Sequence, residues 1–124
     1  MIPNLAGQVI SKIQIDFMLR LWTEGGWQFN LEGDVYLSEA GRQTKLLDTQ
    51  TTSQDAMEDL LPFVGATIVE VLVAAEGHLA INLGGVQISC QVVPQYESWQ
   101  LHGPNGEIAV CLPGGKLSTW GPRV

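Results

Sequence analysis

Hydrophobic and polar residues alternate one by one along much of the chain. In Lys12-Ile13-Gln14-Ile15-Asp16 the isoleucines face one way and the polar residues the other. Trp27, Phe29 and Leu31 alternate with Gln28, Asn30 and Glu32, and Leu79, Ile81 and Leu83 alternate with Ala80 and Asn82. A period of two is that of an extended strand with one buried and one wet face, which favours antiparallel pairing. Cys90 falls on the apolar side of another such run, in phase with Val86, Ile88 and Val92. The stretch Ile68-Val69-Glu70-Val71-Leu72-Val73 is apolar on both sides except at Glu70. It predicts a central strand covered on both faces, with Glu70 at the edge of the covering layer or buried as a carboxylate.

Turn chemistry separates these runs. Glu24-Gly25-Gly26 and Gly84-Gly85 each lie between alternating segments and permit the positive φ of tight hairpins. Pro104-Asn105-Gly106 is the strongest turn signal, and Pro113-Gly114-Gly115 turns the chain again, so residues Glu97 to Trp120 predict a three-stranded meander. One segment breaks the pattern. Thr52-Ser53-Gln54-Asp55 carries a helix-start signature, with Thr52 as N-cap. Ala56, Met57, Leu60 and Leu61 then share one helical face, Asp55, Glu58 and Asp59 point away, and Pro62 stops the helix near Leu61.

There is also an internal echo. Gly7-Gln-Val-Ile leads into a Leu-x-hydrophobic, Gly-Gly, hydrophobic-Gln-hydrophobic run, and Gly65-Ala-Thr-Ile leads into another, offset by roughly 59 residues. Either a β unit is pseudo-duplicated, with the helix linking its halves, or two hairpins resemble each other by chance. Together the patterns predict a mainly β (α+β) chain. Its architecture is antiparallel sheets or a sandwich of about ten short strands, with one short helix near 53–61, in a single domain over 1–124.

Composition narrows the function. Hydrophobic residues make up 45% and charged residues 15%, against a usual charged share of about 25%, so apolar surface is left to be covered by a partner or a second copy. A homodimer is therefore one expectation. Basic residues number 6 against 13 acidic, for a net charge of -7. Lys12, Arg20, Arg42, Lys45, Lys116 and Arg123 are scattered singly, which sets nucleic-acid binding aside for want of a basic stripe. The acidic surface suits steering toward a basic partner. No Lys or Arg precedes Lys12, and the most apolar window, Phe63 to Ala75, is too short to cross a bilayer. The expected location is cytoplasmic, where Cys90 and Cys111 are expected as free thiols; a disulfide would require their strands to be neighbours.

No catalytic constellation is recognisable. The two histidines, His78 and His102, fall in no nucleophile motif, and the order His78, Cys90, His102, Cys111 lacks the close pairs of a structural zinc site. Asp16, Glu24, Glu32 and Asp34 cluster in the first half, with Asp16 and Glu24 at candidate turns where acidic residues sit exposed, and the glycine pairs lack a phosphate loop's Lys-Ser/Thr. No cofactor, metal or membrane role is expected. Trp27 and Trp99 share parity with core residues, whereas Trp22 lies opposite Leu19 and Leu21 and is the tryptophan expected at the surface. The candidate binding residues are therefore Trp22, Glu24, Asp55, Glu58 and Asp59.

The ending Tyr96-Glu97-Ser98-Trp99-Gln100-Leu101-His102-Gly103-Pro104, with Pro113-Gly114-Gly115-Lys116-Leu117 and Trp120, resembles that of a family of small uncharacterised bacterial proteins. Those proteins carry Glu-x-Trp-x-hydrophobic, Gly-Pro and Pro-Gly-Gly. The early Ile-x-Ile-Asp pattern leading to Leu19 and Leu21 fits as well. The resemblance implies a β-rich single domain and supplies no mechanism. By analogy with small acidic immunity proteins, the expected function is non-enzymatic binding of another protein, with a basic toxin domain as the sharpest case. The alternative is a small-molecule-binding β module.

Overall fold

The computed structural model describes residues 2–50 and 54–122. In chain order the described strands are β1 (Ile10–Ile15), β2 (Leu19–Thr23), β3 (Gln28–Leu31), β4 (Val35–Glu39) and β5 (Lys45–Leu47). A helix, α1 (Gln54–Leu60), and a 3-10 turn over Leu61–Phe63 follow. Then come β6 (Glu70–Val73), β7 (Leu79–Asn82), β8 (Val86–Cys90), β9 (Trp99–His102), β10 (Ile108–Cys111) and β11 (Leu117–Trp120). They build a six-stranded sheet, β1-β2-β3-β9-β10-β11, and a five-stranded sheet, β5-β4-β8-β7-β6, both antiparallel.

Period-two alternation sorts the side chains. Ile13, Leu21, Phe29, Leu101 and Ala109 make one cross-strand row of the larger sheet, and all are buried. Leu19, Leu31, Trp99 and Cys111 make the next. Val35, Leu37, Ile81, Ile88 and Cys90 from the smaller sheet join them in one hydrophobic core. Trp99 is fully buried, and its indole N–H donates to the Gly77 carbonyl at 2.8 Å. That bond ties β9 of one sheet to the β6–β7 loop of the other. Gly77 and Gly115 both hold positive φ, and a Cβ on either would run into the other loop's backbone. This crossing of two loops requires glycine on both sides.

The internal echo is a topological repeat. Each half lays down a three-stranded meander (β1-β2-β3, then β6-β7-β8) and sends its next hairpin to the other half's sheet. The registers agree: Leu31 pairs with Trp99 as Cys90 pairs with Val35, and Leu21 pairs with Phe29 as Ile81 pairs with Ile88. The crossing points repeat too. Glu32 N–H donates to Ser98 O and Gln91 N–H to Asp34 O, both at 2.8 Å. The two Gly-x-x-Ile segments pair with each other through a Val9–Thr67 bridge, with Ile10 N–H donating to Ala66 O and Ile68 N–H to Gln8 O. β11 continues the second half where the first half turns into α1.

Two expectations are corrected. The apolar run Ile68–Val73 is not a central strand covered on both faces: β6 ends the smaller sheet, with Glu70 exposed and Leu72 53% exposed. Val71 and Val73 pack toward the core, whereas no described element covers the face bearing Glu70 and Leu72, the helix packing beside β1 instead. The helix covers the expected segment and buries Ala56 and Leu60, but Leu61 is exposed, since the chain tightens into the 3-10 turn at Pro62. The proposed N-cap, Thr52, lies outside the described residues. The three-stranded C-terminal meander, the hairpins at Gly25-Gly26 and Gly84-Gly85, and the turn at Asn105-Gly106 are as expected. The short strands β4 and β5 carry alternation too brief to stand out.

Replacing Trp99 with alanine is expected to lower the unfolding free energy by about 3–5 kcal/mol, by cavity formation and loss of the bond to Gly77. Urea denaturation followed by fluorescence checks it, and a loss under about 1 kcal/mol would contradict the packing described.

Candidate functional site

The acidic candidates sit on two separate elements. Asp55 and Glu58 are exposed on α1, and neither has an ion-pair partner among the described residues. Asp59, on the same helix, is half-buried and bonds to Lys45 of β5. That carboxylate raises the Lys45 ammonium pKa above its ordinary value, first by the hydrogen bond and then by its charge. Glu24 is exposed in the β2–β3 turn, and among the described residues no hydrogen bond or ion pair joins it to the helix. Asp16 and Glu39 each lie near an arginine, Arg20 at 4.0 Å and Arg42 at 3.1 Å.

Trp22 is not the exposed tryptophan. It is half-buried on the outer side of the larger sheet, with the Lys12 ammonium 4.8 Å from its ring centroid. Lys12 and Trp22 are cross-strand partners, so the lysine stem and charge cover the indole. Trp120 is the exposed one, at 57%. Parity could not separate these two, because both lie on the outer face; a neighbouring lysine covers one, and Trp120 belongs to an edge strand.

A groove of about 310 Å³ lies at the β11 end of the larger sheet. Its origin is topological. The larger sheet has one strand more than the smaller, and Thr119, in the inner row with Leu101 and Ala109, is exposed. Ile2 and Pro3 lie along the groove, and Trp27, assigned to the core on parity, is half-buried in its wall. Among the described residues Glu107 is the one charged side chain in the lining, and its Oε1 accepts the Asn105 N–H at 2.8 Å. The carboxylate and the Trp27 ring edge converge over Gly103: a Cβ there would lie 2.6 Å from Glu107 Oε1 and 2.7 Å from Trp27 Cζ3. The groove can seat an apolar group beside a negative charge. Its residues are distant in sequence, so periodicity alone gave no sign of it.

The two thiols and His78 are tied into the fold by hydrogen bonds. Cys90 and Cys111 are free and buried. Burial pushes the Cys90 thiol up from its ordinary 9.0 to about 12, and burial also raises Cys111. Both are therefore neutral thiols at physiological pH. Cys90 Sγ donates to Ser98 O at 3.3 Å, and His78 Nδ1 accepts the Val92 N–H at 2.9 Å. Among the described residues no group of three His, Cys, Asp or Glu side chains converges to hold a metal, and no helix is long and apolar enough to cross a membrane.

These features define an antiparallel two-sheet β protein with a one-sided apolar groove and an acidic helix face. The sequence matches the family of unknown function DUF6188 over residues 1–121, and the chain belongs to that family. No curated protein and no solved structure matches it.

Because the folded Cys90 pKa lies above the unfolded value, the native state holds its proton more tightly. Its contribution to stability is thus complete below the ordinary thiol value of 9.0 and is lost as pH rises toward about 12. Urea midpoints measured across that interval are expected to fall less for Cys90→Ala than for the unmodified chain. Equal slopes would place the thiol outside the titration.

Proposed function

We propose that the protein is a non-catalytic binding protein that acts through contacts with another protein, its acidic helix face meeting a basic partner. The exposed carboxylates of Asp55 and Glu58, neither within ion-pair distance of a cation among the described residues, carry this reading, although the Asp55 charge also acts on Lys45. They stand on one short helix of a chain with net charge -7, while neighbouring acids are already matched with Lys45, Arg42 and Arg20. Unmatched surface charge of one sign speeds encounter with the opposite sign and selects against like-charged partners. Glu24 lies apart from this face in the β2–β3 turn, and Trp22, under the Lys12 ammonium, contributes nothing to it. Neutralisation of a basic toxin domain is the sharpest form of this role. Two buried neutral thiols and a histidine held by a backbone N–H leave those groups to the fold rather than to nucleophilic chemistry. The cytoplasmic location belongs to the same proposal.

A second reading, a small-molecule-binding β module, is favoured by the groove, whose volume of about 310 Å³ reaches the lower range of ligand sites. The C-terminal ending on which the family resemblance rests contributes Gly103 and Trp120 to that region.

The test is capture from native lysate by the tagged chain and by its Asp55→Asn/Glu58→Gln double variant, compared by quantitative mass spectrometry. A stoichiometric partner is expected, with recovery by the variant reduced on the order of tenfold and salt sensitivity reduced with it. A partner held equally by both proteins would overturn the helix-face reading. Blocking the groove with Thr119→Trp tests the second reading, which predicts loss of a bound small molecule detectable by native mass spectrometry.

A further inference from the structure

Sheet edges offer unpaired N–H and C=O groups, and folded proteins usually blunt them with charge, bulges or cover. Three of the four edges here are treated that way. β1 has a register shift between Ile10 and Lys12 and carries that lysine; β5 begins at Lys45; β6 begins at the exposed Glu70. The fourth, β11, reads Leu117-Ser118-Thr119-Trp120, with no charge, proline or register shift.

The hydrogen-bond phase of β11 follows from its neighbour. Leu112 N–H donates to Lys116 O at 2.7 Å, and β10 and β11 then pair Cys111 with Leu117, Val110 with Ser118 and Ala109 with Thr119. Antiparallel pairs alternate between bonded and non-bonded, so Ser118 and Trp120 bond inward to β10. The main-chain groups of Leu117 and Thr119 face outward, at an edge that no described strand pairs. Trp120 stands beside that edge at 57% exposure, and Lys116 is exposed just before the strand.

The geometry points to a homodimer in which β11 pairs antiparallel with β11 of a second copy, about a two-fold axis at Ser118. In this register Leu117 of each copy faces Thr119 of the other, and both pairs exchange N–H···O bonds. Trp120 then lies opposite the Lys116 position of the second copy. The indole gains cover and a cation over its face, the arrangement Lys12 and Trp22 already adopt within the chain. A second copy fits better than a foreign strand because the uncharged edge, the exposed indole and the exposed lysine are all supplied by the chain in mutually matching register. Contact at a neutral edge also keeps the acidic helix out of the argument, so the dimer stands or falls independently of the partner proposed above.

Sedimentation velocity of the full chain, from about 1 µM to 1 mM, tests the dimer. The expected result is a concentration-dependent species of twice the 13.5 kDa chain mass. Thr119→Pro removes one outward N–H while leaving the β10 ladder in place, and it is expected to raise the dissociation constant at least about tenfold. Should that variant fail to fold by circular dichroism, Lys116→Glu and Trp120→Ala, both at exposed positions, are each expected to raise it severalfold. A chain monomeric across the whole range overturns the proposal. So does a dimer indifferent to Lys116→Glu and Trp120→Ala but dissociated by Leu72→Lys on β6.

Discussion

The structure depends on main-chain pairing between its two halves. Neither sheet is complete from one half, because β9 must pair with β3 and β4 with β8. The cost of closing those long connections is recovered only when both swaps form, since each hairpin buries its inner face against the other half's meander. The core reflects this: Leu31 lies beside Trp99 and Cys90 beside Val35, each pair spanning the two halves. A fold tied together this way is cooperative, and its contacts are mostly distant in sequence.

Asymmetry within that repeat shapes the helix face, the groove and the β11 edge. The first half leaves β5 and enters a loop and the helix, whereas the second half continues into β11. The helix displays the carboxylates of Asp55 and Glu58 to solvent. The extra strand leaves an inner face uncovered, which becomes the groove, and it presents an uncharged edge. Had both halves ended alike, neither the acidic helix nor the overhang would exist.

Placement of charge follows the same division. Lys45 and Asp59 clip the helix to β5, Lys12 covers Trp22, and Arg20 and Arg42 answer Asp16 and Glu39, so most of the few basic side chains are committed to internal pairs. The negative excess is therefore carried outward rather than spread through local pairs. Glu107 is different, being set among apolar residues and held by the Asn105 N–H of its own turn.

Local pattern by itself determined the strand class, the hairpins at paired glycines, the position of the helix and the burial of Trp99, because period and turn chemistry depend on neighbours a few residues away. It also contained the repeat, as matching Gly-x-x-Ile segments, without showing that these segments pair. Tertiary structure decided what depends on which strand lies beside which. Ile68–Val73 looked doubly covered, yet β6 became an edge, because coverage is a property of the layer above and not of the strand. Trp22 looked free, yet Lys12 shelters it and Trp120 is exposed, because both share an outward parity and only the strand's neighbours distinguish them. The groove at Trp27, Gly103 and Glu107 was hidden for the same reason: its walls come from segments that only the swapped sheet brings together.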